Sequence, residues 1–152
     1  MSQLRIEQVE GQDALVAAWR LVHNTIIPNH QLTADEIRER SRRNHLEVAW
    51  LGDTPVGCAT VRPPSDDPEV ATVIARVLPA HRGRGYGSEL YGRGLAKAAE
   101  LGAAVVETLV LEQNEAGLRF ALNRGFAEIE RYPLPGDVIE IALGGRLSEL
   151  RR

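Results

Sequence analysis

Between a run of β-branched residues and an amphipathic segment, the chain places Arg82-Gly83-Arg84-Gly85-Tyr86-Gly87-Ser88. A glycine-rich turn at the junction of a strand and a helix leaves several backbone N–H groups without partners and aimed at one spot. The helix dipole adds positive potential there. Glycines clear the space that a Cβ would fill and supply φ > 0 where the turn needs it. Arg82 and Arg84 add charge-assisted donors. The chemistry such a turn serves is the holding of a phosphate or pyrophosphate.

Three phosphate ligands compete for this motif. A P-loop requires Gly-Lys-Ser/Thr, and Gly87-Ser88 has no lysine before the serine. A dinucleotide fingerprint is closer, because Gly83-x-Gly85-x-x-Ser88 nearly matches Gly-x-Gly-x-x-Gly. That fingerprint normally opens a doubly wound fold, whereas here it arrives half-way along the chain and leaves too little sequence for further βαβ units. The third candidate is coenzyme A.

The elements that must position the turn can be read from periodicity. "LRIEQVE" reads as a strand, and Asp13 caps a helix whose apolar residues Leu15, Ala18, Trp19, Val22 and Ile26 recur at helical spacing until Pro28 ends it. Thr33 and Glu36 form a capping box for a second helix that runs to about Asn44, with so few apolar positions that it belongs on the surface, flanking a cleft. "LEVAWL" and "PVGCATV", joined at Gly52-Asp53-Thr54, read as a β-hairpin. After the acidic loop "RPPSDDPE", Val70 to Leu78 is a nearly continuous β-branched run suited to a strand buried on both faces. Ser88 to Leu101 reads as a helix containing Gly92 and Gly94, each costing about 1 kcal/mol relative to alanine, so something must approach that helix closely. Ala104 to Leu111 is another buried strand. Asn114 caps a short helix that stops at Gly125-Phe126 in a Schellman motif, and "FAEIER" and "VIEIAL" form a closing strand pair.

Composition narrows the function. At 152 residues, 43% hydrophobic and 26% charged, the chain is globular in composition and sized for one domain over residues 1–152. A net charge of -3 argues against a nucleic-acid binder, although arginines cluster at Arg38 to Arg43 and at Arg82 and Arg84. The single cysteine, Cys58, excludes an internal disulfide and any multi-cysteine metal site, so no metal is expected. With no signal segment and no membrane-length apolar run, the expectation is a cytoplasmic protein with no membrane partner.

The residues Val77-x-Pro79-x-x-Arg82-Gly83-Arg84-Gly85-Tyr86-Gly87 resemble the acyl-CoA-binding motif of the GNAT N-acetyltransferase superfamily, whose core is Gln/Arg-x-x-Gly-x-Gly/Ala. A second family feature, Asn114 followed by a short helix and Gly125-Phe126, stands at the right distance, and the order of elements matches over essentially the whole chain. The resemblance implies a mixed α/β fold: a mostly antiparallel sheet of about seven strands with one splayed parallel pair, flanked by about four helices. It implies acetyl-CoA as cosubstrate and a primary amine as acceptor. The pantetheine arm would pair with main-chain groups of Ala75 and Val77, and the pyrophosphate would sit on the amides of Arg82, Gly83, Arg84, Gly85, Tyr86, Gly87 and Ser88. Asn114 would touch the coenzyme arm, or serve only as a helix cap.

The implied chemistry is direct attack of a neutral amine on the thioester, with the Ala75 amide stabilising the developing oxyanion. An amine with a pKa of about 10.4 is only about a thousandth free base at roughly pH 7.4, so a base or a water relay is useful. Many relatives carry a strand glutamate where this chain has Ala71. Glu69, two residues earlier on the same pleat face, is the candidate base, or else a solvated residue ending the acidic loop. The tyrosine that often protonates the departing thiolate is replaced by Ala121, and Tyr86, Tyr91 or Tyr132 could substitute only if the fold brings one to the sulfur. His23, His30 and His45, with Trp19, Asn24 and Asn29, mark the region that shapes the acceptor pocket in this family. His81 would neighbour the phosphates, and Cys58 would pack as a small apolar residue. Ala71 and Ala121 keep a rival open, a non-catalytic acyl-CoA-binding module. Relatives often pair through their last strands, so "VIEIAL" also leaves a homodimer open, and a strand covered within the monomer would look the same.

Overall fold

A computed structural model describes residues 3–151. Its elements, in chain order, are β1 (Arg5–Gln8), α1 (Asp13–Ile26), α2 (Ala34–Arg43), β2 (His45–Leu51), β3 (Thr54–Arg62), β4 (Val70–Val77), α3 (Tyr86–Glu100), β5 (Val105–Leu111), α4 (Glu115–Asn123), β6 (Ala127–Leu134) and β7 (Val138–Arg146), with single 3₁₀ turns after α1, β4 and β7. The seven strands form one sheet in the order β1-β2-β3-β4-β5-β7-β6. Every pairing is antiparallel except that of β4 with β5. The expected fold class is therefore present, with its parallel pair at the centre.

Alternation along the strands sends side chains to two helical layers. On one face, α1 brings Leu15, Val16, Trp19 and Val22 onto Leu46, Val48 and Cys58, with Ile37 the one fully buried residue of α2. On the other, Tyr91 and Leu95 of α3 and Ala121 of α4 pack on Val61, Ala71, Val73, Val106 and Ile141. Cys58 is buried in the first layer and desolvation pushes its thiol up to about 12, which makes it the inert apolar residue expected.

Local signals explain the helix ends. Thr33 Oγ1 accepts from the Glu36 amide at 3.1 Å while Glu36 Oε1 accepts from the Thr33 amide at 3.0 Å, the reciprocal capping box. At the end of α4, Gly125 has φ 101°, the Phe126 amide donates to Ala121 O and the Gly125 amide to Leu122 O, both at 3.1 Å, which is the Schellman pattern. Asp13 does not cap α1. Gln12 holds the cap position without a side-chain bond, and Asp13 instead pairs with Arg38 of α2, a partner supplied by the tertiary fold.

Two other readings are narrowed. The apolar "VIEIAL" does not form a sheet edge, because β7 lies between β5 and β6 and its polar groups face strands on both sides. The close approach inferred for α3 concerns Gly94 alone, which rests on Val73 of β4. A Cβ at Gly92 would meet nothing within 4 Å.

Candidate functional site

The parallel pair is only three residues long. Val70, Ala71 and Thr72 stand opposite Val105, Val106 and Glu107, and beyond them β4 and β5 part. Which main-chain groups face the gap follows from the phase of β4. The Glu69 carbonyl accepts from Ala104 and Val105 at 2.8 and 2.9 Å, on the β5 side, while the Leu78 amide donates to Val56 O at 2.9 Å, on the β3 side. Since a strand residue's N–H and C=O point the same way and neighbours alternate, Val73, Ala75 and Val77 present their polar groups to the opening between β4 and β5. The Val77 carbonyl there accepts from Arg82 Nε at 2.9 Å.

A cavity of about 730 Å³ runs through this split, walled by Thr25 and Ile27 on one face of the sheet and by Tyr91 and Phe120 on the other. At its mouth lies the glycine turn. Gly83 and Gly85 adopt φ of 80° and 85°, a region that other residues enter only under strain. Gly85, rather than a residue near Ser88, holds the cap position of α3, so the helix begins two residues earlier than its sequence pattern suggests. The amides of Gly83 through Ser88 make no hydrogen bond among the described residues. Six consecutive N–H groups at the positive end of a 15-residue helix make an anion site. His81 also lines the cavity, with its Nδ1 buried and without a partner among the described residues.

Most of the residues singled out in the sequence meet here. Ala75, Val77, Arg82, Gly83, Gly85, Tyr86, Gly87, Ser88 and Asn114 all line the one cavity. Arg84 does not; its side chain is exposed and it contributes only its main chain to the turn. Asn114 does two things at once, since its Oδ1 accepts from the Gly117 amide at 3.0 Å as the cap of α4 while its side chain forms part of the cavity wall.

The structure does not bring Glu69 to the site. It lies exposed at the N-terminal end of β4, where that strand is still paired with β5, and its own amide donates to Asp67 Oδ1 at 3.0 Å. Glu69 stands at the closed end of the split, and the cavity opens at the other. Ala71 and Ala121 are both buried apolar residues. Of the three tyrosines, Tyr86 and Tyr91 reach the cavity wall, with the Tyr91 hydroxyl buried, and Tyr132 donates instead to Glu140 at 2.6 Å.

The histidines divide similarly. His23 and His30, with Trp19, line a second and smaller cavity on the α1 side of the sheet, whereas His45 lies on β2 with its Nε2 3.3 Å from Glu47. His23 stacks on Trp19 with ring centroids 5.1 Å apart, and burial brings its pKa down to about 4, against a hydrogen bond to Asn24 that favours the charged form. Asn24 meanwhile clamps the segment between α1 and α2, donating to Leu32 O and accepting from the Leu32 amide. Asn29 packs against Gly136 in the β6–β7 turn, and Leu134 and Glu140 of that hairpin line the smaller cavity.

Sequence reasoning missed the arginines. Arg76 is the sole charge in the run Val70–Val77 and lines both cavities, and that isolation was a readable signal. Arg124 was not readable, because its partner is distant: it donates to Ser88 Oγ at 2.9 Å and lies 3.5 Å over the Phe120 ring, tying the end of α4 to the first turn of α3.

A splayed parallel pair, a glycine turn of free amides at its open end and an Asn-capped helix beside it are the arrangement the motif resemblance implied. The family model described as Acetyltransferase (GNAT) family matches residues 13–126. The chain belongs to this family. Among solved structures it is similar to Ard1 from Thermoplasma volcanium (18% identity, TM-score 0.80, covering 95% of this chain and 98% of that one). It is also similar to the structure of YncA from Salmonella typhimurium, which contains its cofactor acetyl-CoA (19% identity, TM-score 0.77, 99% and 98% covered). A third is the N-acetyltransferase from Staphylococcus aureus Mu50 (18% identity, TM-score 0.76, 96% and 99% covered). At these identities the likeness is one of fold. No curated protein matches the sequence. Among the described residues no helix is long and apolar enough to cross a membrane, and no group of His, Cys, Asp or Glu is arranged to hold a metal ion.

Proposed function

We propose that this GNAT-family chain transfers an acetyl group from acetyl-CoA to a primary amine by direct attack. The observation that carries the reading is the alignment of the split with the turn: the gap-facing main-chain groups of Ala75 and the amide of Val77 lead along one cavity to six free amides at the start of α3. An extended amide-containing arm ending in a pyrophosphate matches that sequence of partners. When bound, acetyl-CoA supplies an activated thioester carbonyl.

The chain's own residues do the rest. The amides of Gly83 to Ser88, with Arg82 beside them, hold the pyrophosphate, and Gly87 and Gly85 keep side-chain atoms out of its way. The Ala75 N–H faces the gap and donates to the carbonyl oxygen as charge grows on it. A C–N bond forms, the C–S bond breaks, and the amine releases one proton. With Glu69 off the site, that proton leaves on the α1 side, where His23, His30 and Glu140 line the second cavity; His23, brought to about 4, is a weak base there. Ala121 offers the thiolate no proton, and a thiol of pKa about 8.5 leaves tolerably at neutral pH and takes one from water.

The test is free-thiol release from acetyl-CoA with a panel of primary amines, run beside calorimetric measurement of coenzyme binding. Amine-dependent release above the hydrolysis background is expected. Coenzyme binding at micromolar affinity with no amine raising release would transfer the protein to the class of acyl-CoA-binding modules.

A further inference from the structure

On the α1 and α2 face of the split lies the second cavity, of about 170 Å³, equal to about five or six water volumes. It shares Ile27, Arg76 and Leu109 with the larger cavity, so a molecule filling it reaches the open part of β4 from the side opposite α3.

Its charge is one-sided. Arg40 of α2, Arg62 at the end of β3 and Arg76 of β4 come from three separate elements to line it, and Glu140 of β7 is the one carboxylate on its described walls. Glu140 Oε1 is already engaged by the Tyr132 hydroxyl. None of the three arginine side chains donates a hydrogen bond or forms an ion pair among the described residues. Other arginines without a partner, such as Arg42, Arg84 and Arg119, lie exposed and apart, whereas these three converge on one cavity.

The cost of that arrangement is visible. Burial lowers the pKa of Arg76 first; Glu140 opposes this, and Arg62 and Arg40 press in the same direction as burial. Arg40 is lowered by burial and by Arg62. A guanidinium stays charged through such shifts, and His23, with its pKa brought down to about 4, adds no charge near neutrality. Even with Glu140 set against one of the three, two positive charges face a small space without a counter-charge. An anion entering it gains short charge-assisted bonds and relieves the mutual repulsion of the arginines.

Resting on the transferase reading, we infer that this cavity seats the acceptor, and that the acceptor is a small amine bearing a carboxylate or phosphonate held by Arg40, Arg62 and Arg76. The anionic end occupies the arginine side, and the amine extends past Arg76 toward the wall the two cavities share. The volume accommodates a group of amino-acid size.

The experiment uses matched trios of amines: an α-amino acid, its primary carboxamide and the aminoalkyl phosphonate with the same side chain. Thiol release from acetyl-CoA is followed for each. The expected result is a kcat/KM at least tenfold higher for an anionic member than for the carboxamide, with the better anion naming the group. Arg76→Gln and Arg62→Gln should each reduce that preference severalfold, while Arg5→Gln, at the far edge of the sheet, leaves the ratio unchanged. Should Arg76→Gln fail to fold, Arg62 and Arg40 carry the test, because they sit at element ends. Equal use of acid and carboxamide, or a ratio unmoved in the arginine variants, overturns the inference. If no amine is acetylated at all, the transferase reading fails separately, and the seat is then read by calorimetry with the N-acetylated amino acid and its amide in the presence of coenzyme A. Binding of the anionic member that Arg62→Gln weakens upholds the anion seat; no preference for it, with coenzyme affinity intact, overturns it.

Discussion

Gly94 of α3 lies directly on Val73 of β4: a Cβ at Gly94 would overlap Val73 Cγ1, with Val73 Cβ and Cγ2 at 3.6 Å. Val73 is the first β4 residue beyond the paired stretch, so this contact sets where α3, and the free amides at its start, sit relative to the opening. Gly94→Ala would gain about 1 kcal/mol of helix propensity, but a β-branched neighbour in a strand turns poorly aside, and overpacking costs about 1–3 kcal/mol. Net destabilisation is expected, with Val73→Ala recovering part of it in a double-mutant cycle. Gly92→Ala, which meets nothing, should instead stabilise by about 1 kcal/mol. Denaturant midpoints for the wild type and these four variants decide it; equal effects at 92 and 94 would contradict the packing.

Gly87 separates binding from folding better than Gly85 does. Gly85 has φ 85°, so any side chain there strains the turn whether or not a phosphate binds. A Cβ on Gly87 would stand 3.8 Å from Val77 Cγ2, an ordinary contact, yet Gly87 lines the cavity among the free amides. Gly87→Ala is expected to keep its thermal midpoint within a few degrees and to lose tenfold or more in acetyl-CoA affinity, measured by calorimetry. Undiminished affinity would remove the pyrophosphate from this turn.

How much of this was legible in the sequence depends on the range of the interaction. Local chemistry read correctly: the capping box of Thr33 and Glu36, the Schellman stop at Gly125-Phe126, and the buried run of β4 all depend on neighbours within a few residues. Asp13 misled because Arg38, 25 residues away, took its carboxylate. "VIEIAL" left two outcomes open because apolarity tells that a strand is covered and not by which strand. Glu69 was placed at the wrong end, since where β4 leaves β5 is set by packing across the sheet. Arg40, Arg62 and Arg76 converge only after three elements assemble, so no spacing rule could have joined them.

Stability should fall on mild acidification for a reason internal to the α1 layer. His23 is 5% exposed and its pKa is brought down by burial to about 4, below the ordinary 6.5. Between those two values the unfolded chain takes up a proton that the folded chain refuses, so the contribution is complete above about pH 6.5 and is lost as pH falls toward 4. The span corresponds to about 3 kcal/mol at most. Glu47 acts in a lower window. Burial alone would raise its pKa, but hydrogen bonds from His45 and Arg93 overcome this and hold it at about 2. Its contribution is therefore present above about 4.5 and lost toward 2. Denaturant midpoints at intervals from pH 7.5 to 3 should decline in both ranges, and His23→Gln should flatten the upper one alone. A wild-type curve level from 6.5 to 4.5 would mean His23 is not held neutral by the fold.

The two duties of Asn114 can be split by changing one atom. Its Oδ1 caps α4 by accepting from the Gly117 amide at 3.0 Å, and its side chain also faces the cavity. Asn114→Asp keeps an acceptor at the cap, where aspartate serves about as well as asparagine, and adds a negative charge at the positive end of α4. The folded state should therefore lose nothing. What disappears is the Nδ2 donor, leaving a carboxylate facing the place proposed for the coenzyme arm. Acetyl-CoA affinity is expected to drop tenfold or more at an unchanged thermal midpoint. Asn114→Ala loses both duties, and it should cost about 1 kcal/mol of stability as well as the affinity. Full coenzyme binding by Asn114→Asp would reduce Asn114 to a helix cap and leave the main chain of β4 to hold the arm without it.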